Sequence, residues 1–350
     1  MSSWEDNVRR TTPYVFGEQP KAKDIIKLNT NENPYPPSPK VEEVLRSFDC
    51  SLLRKYPDPL ISELTNALAA EYHLPADRIF VGVGSDDVLA MSFLTFFHGK
   101  KPVLFPDITY SFYDVWADLF EIPYECPALK DDLSICKEDY LKENGGIVIP
   151  NPNAPTGLLC PLSDLEEIVK MNPASVVIID EAYGDFSGES MLPLTEKYDN
   201  LLVVMTFSKS RSLAGSRIGF AFGSKKLIAR LQDIKFSFNS YTMDMLSIKV
   251  GVAALSDRDY FRSRVEEIIA TREWTKEELQ KLGFSFPDSK TNFIFATHEK
   301  VRAEVIFEKL KEKNIYVRYF NKPRIDNYLR ISIGTKEEME HLITVLKEIL

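Results

Sequence analysis

Cysteine is scarce in this chain. The four present, Cys50, Cys126, Cys136 and Cys160, are scattered, with no Cys-x-x-Cys and no pairing with histidine at metal-ligand spacing. They read as free thiols in a reducing compartment. Histidine is equally sparse: His73, His98, His298 and His341 stand apart from one another. That argues against a metal centre and against histidine-driven nucleophilic catalysis. No apolar run approaches the ~20 residues of a membrane span. The start, Met1-Ser-Ser-Trp-Glu-Asp6, is too polar for a signal peptide, so a cytoplasmic protein is expected. Basic residues are outnumbered, and a formal net charge of −9 argues against general nucleic-acid binding and against an anionic membrane surface. It leaves room for a local arginine cluster that holds an acidic ligand. Gly-x-x-x-x-Gly-Lys-Ser/Thr is absent, which removes a P-loop NTPase.

What is present is ample for a core. A chain of 350 residues that is 44% hydrophobic suggests a large domain with a smaller one attached. Residues 1–40 are punctuated by proline, in Thr12-Pro-Tyr-Val-Phe-Gly-Glu-Gln-Pro20 and Leu28-Asn-Thr-Asn-Glu-Asn-Pro-Tyr-Pro-Pro-Ser-Pro39, so long helices are excluded there. An arm packing over a site or a partner is expected. Leu60, Ile61, Leu64, Ala67, Leu68 and Tyr72 share one face at helical spacing. Residues 78–83 then form an apolar strand that runs into Gly82-Val-Gly-Ser-Asp-Asp87 and a helix over 88–97, with Ser85 as the expected N-cap. Such a turn presents backbone N–H groups at a helix start, where a phosphate binds. The third glycine of the dinucleotide fingerprint is missing, which excludes an NAD site.

Further strands are expected from 103, over 146–150, 175–180, 201–207 and 217–222. An aromatic helix spans 111–120, and a helix to Met171 starts at a capping box, Ser163-Asp-Leu-Glu166. Residues 241–282 read as helical. A small α/β unit follows, with strands over 292–296, 315–320 and 328–333, a helix over 301–313 and a last helix capped by Thr335-Lys-Glu-Glu338. Alternating strands and helices predict an α/β fold with a mostly parallel central sheet flanked by helices. The expected organisation is an arm over 1–40 packing with the small domain, a large domain over 41–255 and a small domain over 256–350, since chain ends often lie close together.

Ser85, Asn153, Asp180, Tyr183, Ser208 and Lys209 all follow strand ends. Open α/β sheets bind ligands beyond the carboxyl ends of their strands, so these residues would converge on one crevice. A lone lysine after a strand is ordinarily solvated. Here the strand Leu201-Leu-Val-Val-Met205 leads into Thr206-Phe-Ser-Lys-Ser-Arg-Ser-Leu-Ala-Gly-Ser-Arg217, while Asp180 ends one strand and Ser85 opens one helix. A lysine, an aspartate and an arginine so disposed suit pyridoxal 5′-phosphate. The amine forms an imine with the aldehyde, a carboxylate keeps the pyridine nitrogen protonated, and the phosphate takes a helix N-terminus, hydroxyls and a cation.

Asn151-Pro-Asn-Ala-Pro-Thr-Gly157, Asp180-Glu-Ala-Tyr183 and Ser208-Lys209 with Arg217 resemble the fold-type I, aspartate-aminotransferase-like enzymes in order and spacing. The Pro13–Pro20 and Leu28–Pro34 stretches, Gly84-Ser-Asp-Asp87 and Tyr328-Leu-Arg-Ile-Ser-Ile-Gly-Thr335 look like the histidinol-phosphate aminotransferases. The resemblance spans nearly the whole chain. It implies Lys209 as the Schiff-base lysine and proton carrier, Asp180 at the pyridine nitrogen, Tyr183 at the ring 3′-oxygen and Tyr110 stacked on the ring. Ser85, Asp86, Ser208 and Arg217 would hold the phosphate. Tyr56 would reach the phosphate of a neighbouring subunit, which requires a homodimer. Arg330 matches a carboxylate-holding arginine, and Arg318 and Tyr14 lie near the substrate phosphate. One position departs from the family pattern. Ala154 stands where the usual turn has an asparagine before Pro-Thr-Gly, and the adjacent Asn153 is the candidate substitute. The implied reaction is ping-pong transamination between L-histidinol phosphate and 2-oxoglutarate in histidine biosynthesis, with no metal. An aromatic amino acid aminotransferase and a pyridoxal-dependent decarboxylase of a phosphorylated amino acid are the alternatives on the same scaffold.

Overall fold

Runs of β-branched residues become the inner strands of the main sheet, and their alternation decides which layer each side chain joins. Val177, Ile179, Leu201, Val203 and Met205 pack into one apolar layer. Ile178, Leu202 and Val204 face the opposite one. Both faces are therefore dry, as a parallel sheet requires. The computed structural model describes residues 3–20 and 24–350. Of the arm expected over 1–40, positions 1–2 and 21–23, including the first residues of the polar start, lie outside the described residues.

The main sheet has seven strands in the order Ile79–Val83, Ile218–Phe222, Leu201–Thr206, Val177–Asp180, Gly146–Pro150, Val103–Leu104 and Tyr124–Glu125. Ile218–Phe222 runs antiparallel to both neighbours, and the remaining ladders are parallel. This is the mostly parallel α/β sheet expected. Its register aligns the strand ends: Pro150 pairs with Asp180, and Asp180 with Val204. The loops that follow therefore leave the sheet at one level, which is what gathers their polar residues.

A second sheet has five strands, Ile26–Leu28, Ile315–Tyr319, Leu329–Ser332, Phe293–His298 and Phe284–Ser285. Its first pair is parallel and the others are antiparallel. Helices Ala303–Glu312 and Lys336–Ile349 cover it through Ile306, Leu310, Met339, Leu342 and Leu346. Residues Ile26–Leu28 thus form a sheet strand inside the segment read from sequence as an arm.

Several local expectations change. Gly84, not Ser85, is the N-cap of helix Ser85–Phe96; its φ of 85° and ψ of 164° suit glycine, and no side chain caps that helix. Ser163-Asp-Leu-Glu166 is not a capping box, because helix Leu162–Met171 has Pro161 as its N-cap, two residues before Ser163, and Ser163 already lies inside it. The box at Thr335 and Glu338 forms as read. The expected helical run over 241–282 is two helices, Met245–Leu255, capped by Asp244, and Arg258–Lys281. Helices Pro39–Ser47 and Lys225–Phe238 were not anticipated.

Candidate active site

Beyond the level strand ends lies a cavity of about 180 Å³, lined among others by Ser85, Asp86, Tyr110, Asp180, Tyr183, Ser208, Lys209 and Arg217. A second cavity, of about 240 Å³, is lined among others by Tyr14, Asn29, Asn31, Arg318, Phe320 and Arg330. Thr30, Tyr110, Ala154, Tyr183 and Lys209 belong to both walls. Lys209 therefore stands at the junction.

Asp180 is buried. Its Oδ2 accepts from Tyr113 Oη at 2.7 Å and its Oδ1 from the Ala182 N–H at 3.1 Å. Among the described residues no lysine or arginine pairs with it, and burial pushes its carboxyl up to about 6. A buried carboxylate without a cation is costly. A protonated ring nitrogen in the cavity would supply the missing partner. Elsewhere on the cavity wall, the first N–H groups of helix Ser85–Phe96 have no intrahelical acceptor. Arg217 reaches the same place from a left-handed backbone, φ 51°. Its Nη2 lies 3.1 Å from Asp86 Oδ2, and Tyr110 Oη donates to Asp86 Oδ1 at 2.7 Å. Burial first, and Asp86 second, hold the Tyr110 hydroxyl well above its ordinary value, so it remains a donor. Ser208 Oγ accepts from Thr206 Oγ1 at 2.9 Å. Donors, hydroxyls and a cation thus gather at one end, with a carboxylate at another. These residues fit pyridoxal 5′-phosphate.

Lys209 Nζ donates to the Thr30 carbonyl at 3.4 Å and lies 5.7 Å from the Tyr183 ring centroid. Tyr183 Oη accepts from Asn31 Nδ2 at 2.8 Å, and Asn31 Oδ1 accepts from Ser332 Oγ at 3.0 Å. Asn33 Nδ2 donates to the Lys209 carbonyl at 2.9 Å. The arm segment around Asn31 is thus bonded to the lysine loop on one side and to the second sheet on the other.

In the second cavity, Arg330 Nη2 donates to the Asn29 carbonyl at 3.2 Å, while its Nε is buried without a partner. Burial, with Arg318 adding to it, pulls the Arg330 guanidinium down. Among the described residues neither arginine pairs with a carboxylate. Tyr14 stacks on Phe112 with ring centroids 4.0 Å apart. The pocket is built for an anion.

Two sequence candidates are not brought together with the rest. Asn153 is buried away from the lysine cavity: its Nδ2 donates to the Ile108 carbonyl and to Thr156 Oγ1, both at 3.0 Å, and its Oδ1 accepts from Thr109 Oγ1 at 3.2 Å. With its amide committed to the loops, it does not substitute for the asparagine missing at Ala154. Tyr56 is 81% exposed and packs on Tyr241, 4.8 Å between centroids, so within one chain it lines neither cavity. Sequence reasoning missed Tyr113, Thr30 and Glu32. Tyr113 follows Tyr110 by one helical step in an aromatic run, which is a signal of packing and not of chemistry. Glu32 lines the lysine cavity and is paired with Lys27.

The family model of aminotransferase class I and II matches residues 23–346. The chain belongs to that family. This aminotransferase is 55% identical to the histidinol-phosphate aminotransferase of Lactococcus lactis subsp. cremoris (strain MG1363), covering 99% of this chain and 98% of that one. It is 52% identical to the histidinol-phosphate aminotransferase of Clostridium botulinum (strain Okra / Type B1), again over 99% and 98%. Its fold matches the crystal structure of histidinol-phosphate aminotransferase from Sinorhizobium meliloti in complex with pyridoxal-5′-phosphate. That match has a TM-score of 0.85 at 24% identity and covers 93% of this chain and 90% of the other. The aminotransferase has no helix, among the described residues, long and apolar enough to cross a membrane.

Proposed function

We propose that this aminotransferase moves the amino group of L-histidinol phosphate to 2-oxoglutarate, giving imidazole-acetol phosphate and L-glutamate, with pyridoxal 5′-phosphate as cofactor. The observation that carries the reading is the junction at Lys209: one cavity suits the cofactor, and the adjoining one offers two arginines that, among the described residues, have no carboxylate partner. Full-length relatives at 52–55% identity that carry the histidinol-phosphate aminotransferase name support the substrate.

Each residue then has a task. Ser85 and Asp86, through backbone N–H, with Ser208 and Arg217, hold the cofactor phosphate. With the cofactor bound, Asp180 would meet the pyridine nitrogen, Tyr110 would stack on the ring, and Tyr183 would donate to the ring oxygen without help from position 154. When bound, the cofactor supplies an aldehyde for the substrate amine and a cationic ring that accepts charge from Cα. Lys209 Nζ takes the proton from the Cα of the amino donor and returns one to the Cα of the keto acid in the second half-reaction. Arg318 and Tyr14 hold the substrate phosphate. Arg330 holds the carboxylate of glutamate or 2-oxoglutarate, and one pocket so serves both substrates of a ping-pong cycle. Residues 41–255 form the cofactor-binding domain, while the arm over 1–40 and residues 256–350 close over it. A homodimer in the cytoplasm completes the reading, with Tyr56 of each chain serving the phosphate of the other.

Turnover of L-histidinol phosphate, phenylalanine and threonine phosphate, each with 2-oxoglutarate, tests the substrate. The first is expected to be transaminated preferentially. Activity confined to phenylalanine, or release of carbon dioxide from a phosphorylated amino acid, would overturn the assignment.

A further inference from the structure

Tyr113 has no part in the chemistry above and lines neither cavity, yet its hydroxyl bonds a carboxylate that does. It is wholly buried at the start of helix Tyr113–Leu119 and donates to Asp180 Oδ2 at 2.7 Å. Its ring is held on several sides: Phe105 and Tyr110 meet it edge-on at 5.8 and 5.7 Å, and Phe93 stacks at 6.1 Å. A ring so enclosed cannot swing away, and its hydroxyl has one acceptor in reach. Burial, and then the charge of Asp180, raise that hydroxyl well above its ordinary value, so it stays protonated and donates at neutral pH.

The other protein bond to Asp180 is the longer one from the Ala182 N–H, at 3.1 Å. That donor lies on the same loop as Asp180 and moves with it. Tyr113 comes from a different helix and is fixed independently. We infer that Tyr113 is a positioning residue, which orients the Asp180 carboxylate and keeps it an anion facing the cavity. The inference rests on the cofactor reading only for what the anion then meets. Hydrogen bonding to the charged form favours that form, so loss of the hydroxyl should let Asp180 take up a proton more readily. A phenylalanine would fill the same space and remove only the donor. A histidine would restore an N–H in its place.

The test uses the full chain in two states. In cofactor-free protein labelled with carboxyl-13C aspartate, with Asp180→Asn for assignment, Tyr113→Phe is expected to raise the Asp180 titration midpoint by about one pH unit or more. In the loaded protein, Tyr113→Phe is expected to weaken cofactor binding at pH 7.5 by about tenfold or more and to lower kcat by a similar factor, leaving KM for the amino donor near wild type. Tyr113→His should recover most of both, and Tyr113→Leu, which also lacks a donor, is read in place of Tyr113→Phe should the latter not fold. An unmoved titration overturns the inference even if the wild type binds cofactor, and so does a moved titration with unchanged cofactor affinity. A wild type that fails to bind pyridoxal phosphate, together with a moved titration, overturns the proposed function and leaves the role of Tyr113 standing.

Discussion

Lys209 is one residue past Ser208 and three past the end of strand Leu201–Thr206, and nothing local marks it as reactive. Its meaning was legible because Asp180 and Arg217 also sit at strand boundaries, and sheet topology fixes where such boundaries meet. Lys209→Ala is expected to abolish turnover with the fold retained, and borohydride treatment of wild type should fix a cofactor-bearing peptide that contains Lys209; activity surviving the substitution counts against its role. Side-chain direction was not legible. Asn153 sits in the right turn, but its amide bonds Ile108 and Thr156 instead of facing the lysine. The neighbour of Asp180 yields a pH expectation. Burial pushes Glu181 up to about 8, although Ser190 Oγ and the Met191 N–H donate to it at 2.5 and 2.6 Å. A carboxyl that is neutral in the folded chain and ionised in the unfolded one, from about pH 4.5 to about 8, makes stability fall as pH rises through that window. The melting temperature of Glu181→Gln across pH 5 to 8 should therefore slope less steeply than that of wild type. Equal slopes would remove Glu181 as the cause.

At the scale of elements, hydrophobic pattern predicted the strands well and the helix starts less well. Strands announce themselves by β-branched runs buried on both faces. A helix start depends on one backbone angle, and Gly84 shows why it is hard to read: the space that a side chain there would need is taken by Arg217, from a distant part of the chain. A Cβ at Gly84 would lie 2.4 Å from Arg217 Nη2, on a backbone of φ 85° and ψ 164° that only glycine adopts freely. Gly84→Ala is therefore expected to cost about 1–3 kcal/mol of stability and to weaken cofactor binding by displacing Arg217. Denaturant unfolding with and without cofactor measures both, and a wild-type midpoint and affinity would contradict it. Thr335, by contrast, was read correctly because both halves of its capping box lie within four residues. Thr335→Ala should lower stability by about 1 kcal/mol.

Across the whole molecule, composition and the α/β alternation indicated the class of fold. The arm over 1–40 was expected to pack with the small domain, but nothing marked Ile26–Leu28 as a strand of its sheet, because three residues carry no periodicity. Tyr56 and Tyr241 pack on each other at the surface and stay exposed. If the protein is a homodimer with shared sites, Tyr56→Ala should remain dimeric by light scattering and lose cofactor affinity. Mixing it with inactive Lys209→Ala chains should then restore at most a fraction of wild-type activity.

The segment that bonds to the lysine loop is made first and finished last. Asn31 donates to Tyr183 and takes its own support from Ser332, 301 positions later. At a synthesis rate of about 5–20 residues per second, the arm waits on the order of 15–60 s for that support. A nascent chain that has completed the main sheet therefore carries Lys209, Asp180 and the arm, but not yet Ser332, which holds the arm in place. Transaminase activity should emerge on the ribosome only once Ser332 is made, so termination before it leaves a protein with the reactive lysine and no working site.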